Sequence, residues 1–123
     1  MGMVLVIDDD DGVREAILDV LESSQVPARG VGSGAEAFEY LDANPPPRLI
    51  LLDLVLPDMP GAQIRNRLLE KPELAEVPVV LMTASSNLEA TNAGCSQLAG
   101  RLRKPFDLQS LLGLVGQFIP PDR

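Results

Sequence analysis

Residues 49–61 of this 123-residue chain read LILLDLVLPDMPG, in which the apolar run Leu49–Leu52 ends directly at Asp53. Two further apolar runs, Met3–Ile7 and Val77–Met82, lie before and after it in the sequence. None of the three runs alternates polar with apolar residues, as a strand with one solvated face would. Each run is therefore predicted to be a β-strand that is covered on both faces.

The segments between these runs carry apolar residues at helical spacing. Three predicted helices are marked by the following residues: Val13, Ile17, Leu18 and Leu21; Ala37, Phe38 and Leu41; Ile64, Leu68 and Leu69. Weaker signals predict an edge strand at Val26–Val31, a short strand at Arg101–Arg103, a helix near Asn87–Leu98, and a last helix at Leu108–Phe118 after the N-cap Asp107. This alternation predicts an α/β fold of the (βα)5 type, with a parallel sheet and helices on both faces.

The composition excludes several kinds of site. The chain has no histidine and a single cysteine, Cys95, which excludes Cys/His metal sites and an internal disulfide. A formal net charge of −8 disfavours direct binding to nucleic acid, because the protein would repel the phosphate backbone. No apolar run reaches the roughly 20 residues of a membrane span. The acidic start does not match a secretory signal, so a cytoplasmic location is expected.

Reactive polar residues follow four of the five predicted strands. Asp8 and Asp9 come after the first strand, Asp53 after the third, Thr83 after the fourth and Lys104 after the fifth. Ligands in such folds bind beyond the carboxyl ends of the strands, so all five side chains are expected at one edge of the sheet. Converging carboxylates repel one another unless a cation lies between them, and oxygen ligands suit Mg2+. The pattern therefore predicts a Mg2+ site beside Asp53.

A carboxylate in such a site is placed to accept a phosphoryl group. Phosphoryl transfer needs an in-line nucleophile and positive or hydrogen-bonding groups around the equatorial oxygens. Asp53 is the predicted nucleophile, and the Lys104 ammonium and Thr83 hydroxyl are predicted to contact the oxygens. Asp53 would then carry an acyl phosphate.

The segments IDDDD, LLDLVLPDMPG, LMTAS and LRKPF, in this order and spacing, resemble the receiver domains of response regulators, the CheY-like family of two-component signalling. The resemblance spans essentially the whole chain and implies a doubly wound, flavodoxin-like sheet with strand order 2-1-3-4-5. The family's pocket residues correspond here to Asp8, Asp9, Asp53, Thr83 and Lys104. The resemblance also implies that the backbone carbonyl of Val55 is a metal ligand and that the Lys104–Pro105 peptide is cis.

The same resemblance implies the partners. A sensor histidine kinase or a histidine phosphotransfer protein would donate the phosphoryl group, and phosphorylation would alter binding to a protein target or output domain. Such a chain catalyses its own phosphorylation and slow dephosphorylation but is not a turnover enzyme. Residues 1–119 would form the receiver domain and residues 120–123 a tail or the start of a linker. The identity of the kinase and the formation of a homodimer stay open.

Two positions depart from the family pattern. Receivers usually carry an aromatic residue three positions before the lysine, where this chain has Arg101, so readout through the fourth helix and fifth strand is expected to be unusual. Val55, two residues after Asp53, cannot orient an attacking water by hydrogen bonding, which predicts slow self-dephosphorylation.

Simpler interpretations hold for other residues. Asp10 and Asp11 are predicted to stabilise a helix N-terminus, Asp58 to be a turn residue and Cys95 to pack as a small hydrophobe. Two other functions are alternatives for the whole chain. One is a receiver-fold binding module that is never phosphorylated. The other is a Mg2+-dependent phosphatase with an Asp nucleophile, which would need a second acid at the position of Val55.

Overall fold

The computed structural model describes residues 3–53, 56–83, 100–103 and 107–119. Five parallel strands form one sheet in the order β2-β1-β3-β4-β5, which confirms the predicted strand order. The strands are β1 (Val4–Ile7), β2 (Ala28–Val31), β3 (Leu49–Asp53), β4 (Val79–Thr83) and β5 (Gly100–Arg103). The described helices are α1 (Asp11–Ser23), α2 (Gly34–Ala43), α3 (Gly61–Leu69) and α4 (Leu108–Phe118).

The central strands are buried on both faces. Every residue of β1 and β3 is buried, as the unbroken apolar runs predict. Alternate strand residues pack into two separate cores, one with α2 and α3 and the other with α1 and α4. The described helices therefore cover both faces of the sheet, as expected for a doubly wound fold.

Two prolines set the starts of their strands. The predicted strands at Val26–Val31 and Val77–Met82 begin later than expected, at Ala28 and Val79. Proline has no backbone N–H to donate into a ladder. The carbonyl of each proline still accepts a hydrogen bond from the neighbouring strand. The Pro27 oxygen accepts from the Val4 N–H at 3.0 Å, and the Pro78 oxygen accepts from the Ile50 N–H at 3.0 Å.

Helix capping follows the sequence prediction. The Asp10 side chain is the N-cap of α1 and accepts from the Val13 N–H at 3.1 Å, and Asp11 lies in the first turn. Asp107 is the N-cap of α4, where it accepts from the Ser110 N–H at 2.7 Å. The helix predicted near Asn87–Leu98 lies outside the described residues, as does Cys95. In the part of the chain that is described, no helix is long and apolar enough to cross a bilayer.

Candidate functional site: an acidic cluster at the carboxyl edge of the sheet

Three carboxylates meet where β1 and β3 end. Asp8 and Asp9 follow β1, Asp53 is the last residue of β3, and each offers a ligand oxygen within 4.8 Å of the others. The parallel register explains this convergence, because Ile7 pairs with Leu52 and each of these two residues is followed in the chain by an aspartate. The structure thus brings together the three acids that the strand ends single out.

The three acids differ in exposure. Asp8 is fully buried and Asp53 is 7% exposed, whereas Asp9 is exposed. Among these three carboxylates, Asp9 is the one most open to solvent. Carboxylates that lie this close together repel one another unless nearby positive charge or hydrogen-bond donors offset the repulsion.

Hydrogen bonds fix the turn that carries Asp8 and Asp9. The Asp8 N–H donates to the Val31 carbonyl at 3.1 Å, and the Asp8 carboxylate accepts from the Asp10 N–H at 2.9 Å. The Asp8 carbonyl accepts from Nη1 of Arg14 at 2.8 Å. This last contact was not anticipated from the sequence, where Arg14 is only a polar position on an amphipathic helix.

The donor set suits a hard divalent cation. Carboxylate oxygens are the ligands that Mg2+ and related ions prefer, and one or two of them with waters are a usual Mg2+ site. A cation at this position would also offset the repulsion among the three carboxylates. The residues present therefore fit the metal that the sequence predicts.

The remaining predicted site residues are only partly described. Asp53 pairs with Met82 in the β3–β4 ladder, so Thr83 ends β4 at the same edge of the sheet, one residue beyond Asp53 in register. The side chain of Thr83 is outside the described atoms, and so is that of Arg101 in β5. Val55 and Lys104, with the peptide to Pro105, lie outside the described residues, and their roles stay predictions.

Asp58 occupies a bend between β3 and α3 and is not part of the acidic cluster, as the turn interpretation expects. Its carboxylate instead contacts the N-terminus of α2, where it accepts from the Gly34 N–H at 2.9 Å and from the Ala35 N–H at 2.8 Å. These two donors favour the charged form and hold the pKa of Asp58 below its ordinary value. The contact spans 24 residues, which local sequence signals do not reveal.

Comparisons with known proteins agree with this fold. A family model described as "Response regulator receiver domain" matches residues 4–115. The DNA-binding transcriptional regulator NtrC of Escherichia coli K12 is 32% identical over 119 residues, which are 96% of this chain and 25% of the relative. The two-component response regulator ORR11 of Oryza sativa subsp. indica is 32% identical over 119 residues, covering 95% of this chain and 80% of the relative.

Solved structures show the same similarity. A putative response regulator from Chloroflexus aurantiacus is 29% identical with a TM-score of 0.87, covering 96% of this chain and 97% of its own. The Mn(2+)-bound form of response regulator Rcp1 is 26% identical with a TM-score of 0.78, covering 95% of this chain and 91% of its own. The chain spans only a quarter of the length of NtrC, and the activities of the rest of NtrC are not attributed to this chain. The fold, the acidic edge and the match over residues 4–115 together show that this chain belongs to the response regulator receiver-domain family.

Proposed function

We propose that the chain accepts a phosphoryl group on Asp53 in a two-component pathway, with Mg2+ held by Asp8, Asp9, Asp53 and the backbone carbonyl of Val55. The observation that carries this proposal is the convergence of three carboxylates within 4.8 Å at the carboxyl edge of the sheet. Residues 1–119 form the receiver domain in this proposal, and residues 120–123 form a tail or linker.

The reaction at Asp53 follows from its position at the strand end. A carboxylate oxygen of Asp53 forms the new O–P bond while the bond from phosphorus to the donor's imidazole nitrogen breaks, and the electron pair leaves with that nitrogen. A bound divalent cation supplies positive charge to the phosphoryl oxygens. Lys104 would offer its ammonium and Thr83 its hydroxyl to the remaining oxygens. Asp9 is the exposed acid of the cluster.

The donor in this proposal is a sensor histidine kinase or a histidine phosphotransfer protein, in the cytoplasm. The phosphorylated chain would alter its binding to a protein target or output domain, and it would not act as a turnover enzyme. Arg101, in β5, stands where the family usually has an aromatic residue, so the readout through this strand is proposed to differ from the common one.

Intact-mass spectrometry tests the proposal. The wild-type chain is incubated with acetyl phosphate and Mg2+, with or without EDTA, and compared with Asp53→Asn. Asp19→Asn is a matched control, because Asp19 is an exposed acid on α1 outside the cluster.

We expect one added phosphoryl group in the wild type and in the control, and none in Asp53→Asn or with EDTA. An unmodified wild type would contradict the proposal and favour a receiver-fold module that binds partners without phosphorylation.

A further inference from the structure

Arg14 on α1 reaches back to the turn that carries the acidic pair. Its Nη1 donates to the Asp8 carbonyl at 2.8 Å, and its Nη2 forms an ion pair with the Asp11 carboxylate in the first turn of α1. Its side chain is only 19% exposed. One guanidinium therefore joins the end of β1 to the start of α1, using the fork geometry that arginine has and lysine lacks.

Two glycines make room for this side chain. A Cβ atom added at Gly30, in β2, would lie 2.8 Å from Cδ1 of Leu18 and 3.0 Å from both Cγ and Cδ of Arg14. A Cβ added at Gly32, just beyond β2, would lie 3.3 Å from Nη1 of Arg14. The arginine thus lies along the β2 backbone in space that ordinary side chains would fill. This close packing holds the guanidinium in one place, which reduces the entropy lost when it binds the turn.

The turn needs such support because of what it carries. Asp8 and Asp9 provide two of the three carboxylates in the cluster, and like charges at this distance repel one another. The strand register fixes Asp53 and the start of the turn, but Asp9 lies beyond the end of β1. Its position therefore depends on the contacts of the turn.

We infer that Arg14 is a positioning residue for metal binding. Its guanidinium holds the β1–α1 turn so that the Asp8 and Asp9 carboxylates stay directed toward Asp53 before a cation arrives. This inference rests on the proposed function, in which the cluster binds Mg2+. Outer partners that orient metal ligands commonly affect affinity by an order of magnitude or more.

Charge and geometry predict opposite effects for the removal of Arg14. If the arginine acted only through its charge, its loss would leave a more negative site, and Mg2+ would bind more tightly. If the arginine positions the turn, Mg2+ would bind more weakly in spite of the added negative charge. The sign of the change in affinity therefore separates the two roles.

Calorimetric titration with Mg2+ alone tests the inference on the wild type, Arg14→Gln, Arg14→Lys and Arg29→Gln. Arg29 is a matched control, because it is an exposed arginine of β2 that lies over the Tyr40 ring and takes no part in the β1–α1 turn. We expect Mg2+ binding to weaken about tenfold in Arg14→Gln. Arg14→Lys, which keeps the charge, should also weaken, whereas Arg29→Gln should bind as the wild type does or slightly more tightly.

Amide hydrogen exchange in EDTA gives a readout without metal. Residues 8–13 should exchange faster in both Arg14 variants, while the amides of β1 and β3 stay protected. Wild-type or tighter Mg2+ binding in both folded Arg14 variants would overturn the inference alone. The wild type and Asp53→Asn are also compared. If the wild type does not bind Mg2+, or binds it no better than Asp53→Asn does, the proposed function and this inference are both overturned.

Discussion

Asp9→Asn should stabilise the chain when no metal is present, because it removes one of three like charges. The ligand oxygens of Asp8, Asp9 and Asp53 lie within 4.8 Å of one another. At that distance two unit charges repel by about 0.9 kcal/mol in a water-like dielectric and by about 3.5 kcal/mol at an effective dielectric constant of about 20. Asp9 is exposed, so the lower value applies.

The unfolded chain limits the size of this effect. Asp8 and Asp9 are neighbours in the sequence and repel each other in both states, so the gain on folding comes mainly from the Asp9–Asp53 pair. We therefore expect Asp9→Asn to raise the free energy of unfolding by about 1 kcal/mol in EDTA at low salt. The gain should shrink in about 1 M salt, where the Debye length is only about 3 Å.

Urea unfolding monitored by circular dichroism measures the effect. Glu73→Gln is the control, because Glu73 is an exposed acid in the turn before β4, at the opposite end of the sheet. A ligand at 100 times its Kd stabilises the native state by about 2.7 kcal/mol. Because Asp9 is a proposed Mg2+ ligand, saturating Mg2+ should stabilise the wild type more than Asp9→Asn. The wild type should then be the more stable of the two, which reverses their order in EDTA. A variant that is less stable than the wild type in EDTA, or a gain that does not depend on salt, would refute the electrostatic reasoning.

Four further outcomes are expected. Asp58→Ala should lower the Tm at neutral pH by removing both acceptors at the N-terminus of α2. Because the pKa of Asp58 is lowered in the folded state, its contribution is present above the unfolded pKa and is lost as the pH falls through the folded pKa, so Tm measured against pH should converge for the two proteins in acid. Gln25 has a positive φ of 64° after α1, so Gln25→Gly should stabilise the chain by roughly 0.5–1 kcal/mol in urea unfolding, and a loss of stability would contradict this. Leu51 is fully buried in β3, and Leu51→Ala should cost about 2–5 kcal/mol in the same assay; a cost under about 1 kcal/mol would show that the core closes around the gap. Acyl phosphate on Asp53 should persist well beyond seconds without a phosphatase, because Val55 cannot orient water, and intact mass followed over time would detect faster loss.

The sheet could be predicted because its central strands are short and apolar at every position. A run such as Leu49–Leu52 is too short for a typical helix and is typical of a strand covered on both faces. The first residues of β2 and β4 could not be placed from hydrophobicity. Pro27 and Pro78 are compatible with an extended chain, but they cannot donate a hydrogen bond to the ladder.

Only the part of the site that follows from the strand topology could be predicted from the sequence. Parallel strands end at one edge, so Asp8, Asp9 and Asp53 were expected to meet, and they do. The contacts of Arg14 and Asp58 depend on which neighbouring atoms leave space, and periodicity holds no such information. Gly30 and Gly32 could have indicated a close approach to β2, but spacing alone does not identify the side chains that fill the space.

The acids of the cluster are held by two different kinds of structure, and this decides how substitutions should act. Asp53 lies on a strand that is paired with β1 on one side and β4 on the other, so the backbone ladders hold its position even when one core side chain is shortened. Asp9 lies beyond its strand, on a turn fixed by hydrogen bonds to Asp8 and by the guanidinium of Arg14. A core substitution in β3 should therefore lower the free energy of unfolding and leave the Mg2+ affinity of the folded protein nearly unchanged. A substitution at Arg14 should weaken Mg2+ binding and leave the free energy of unfolding nearly unchanged, because the turn can shift while both cores of the sheet remain packed.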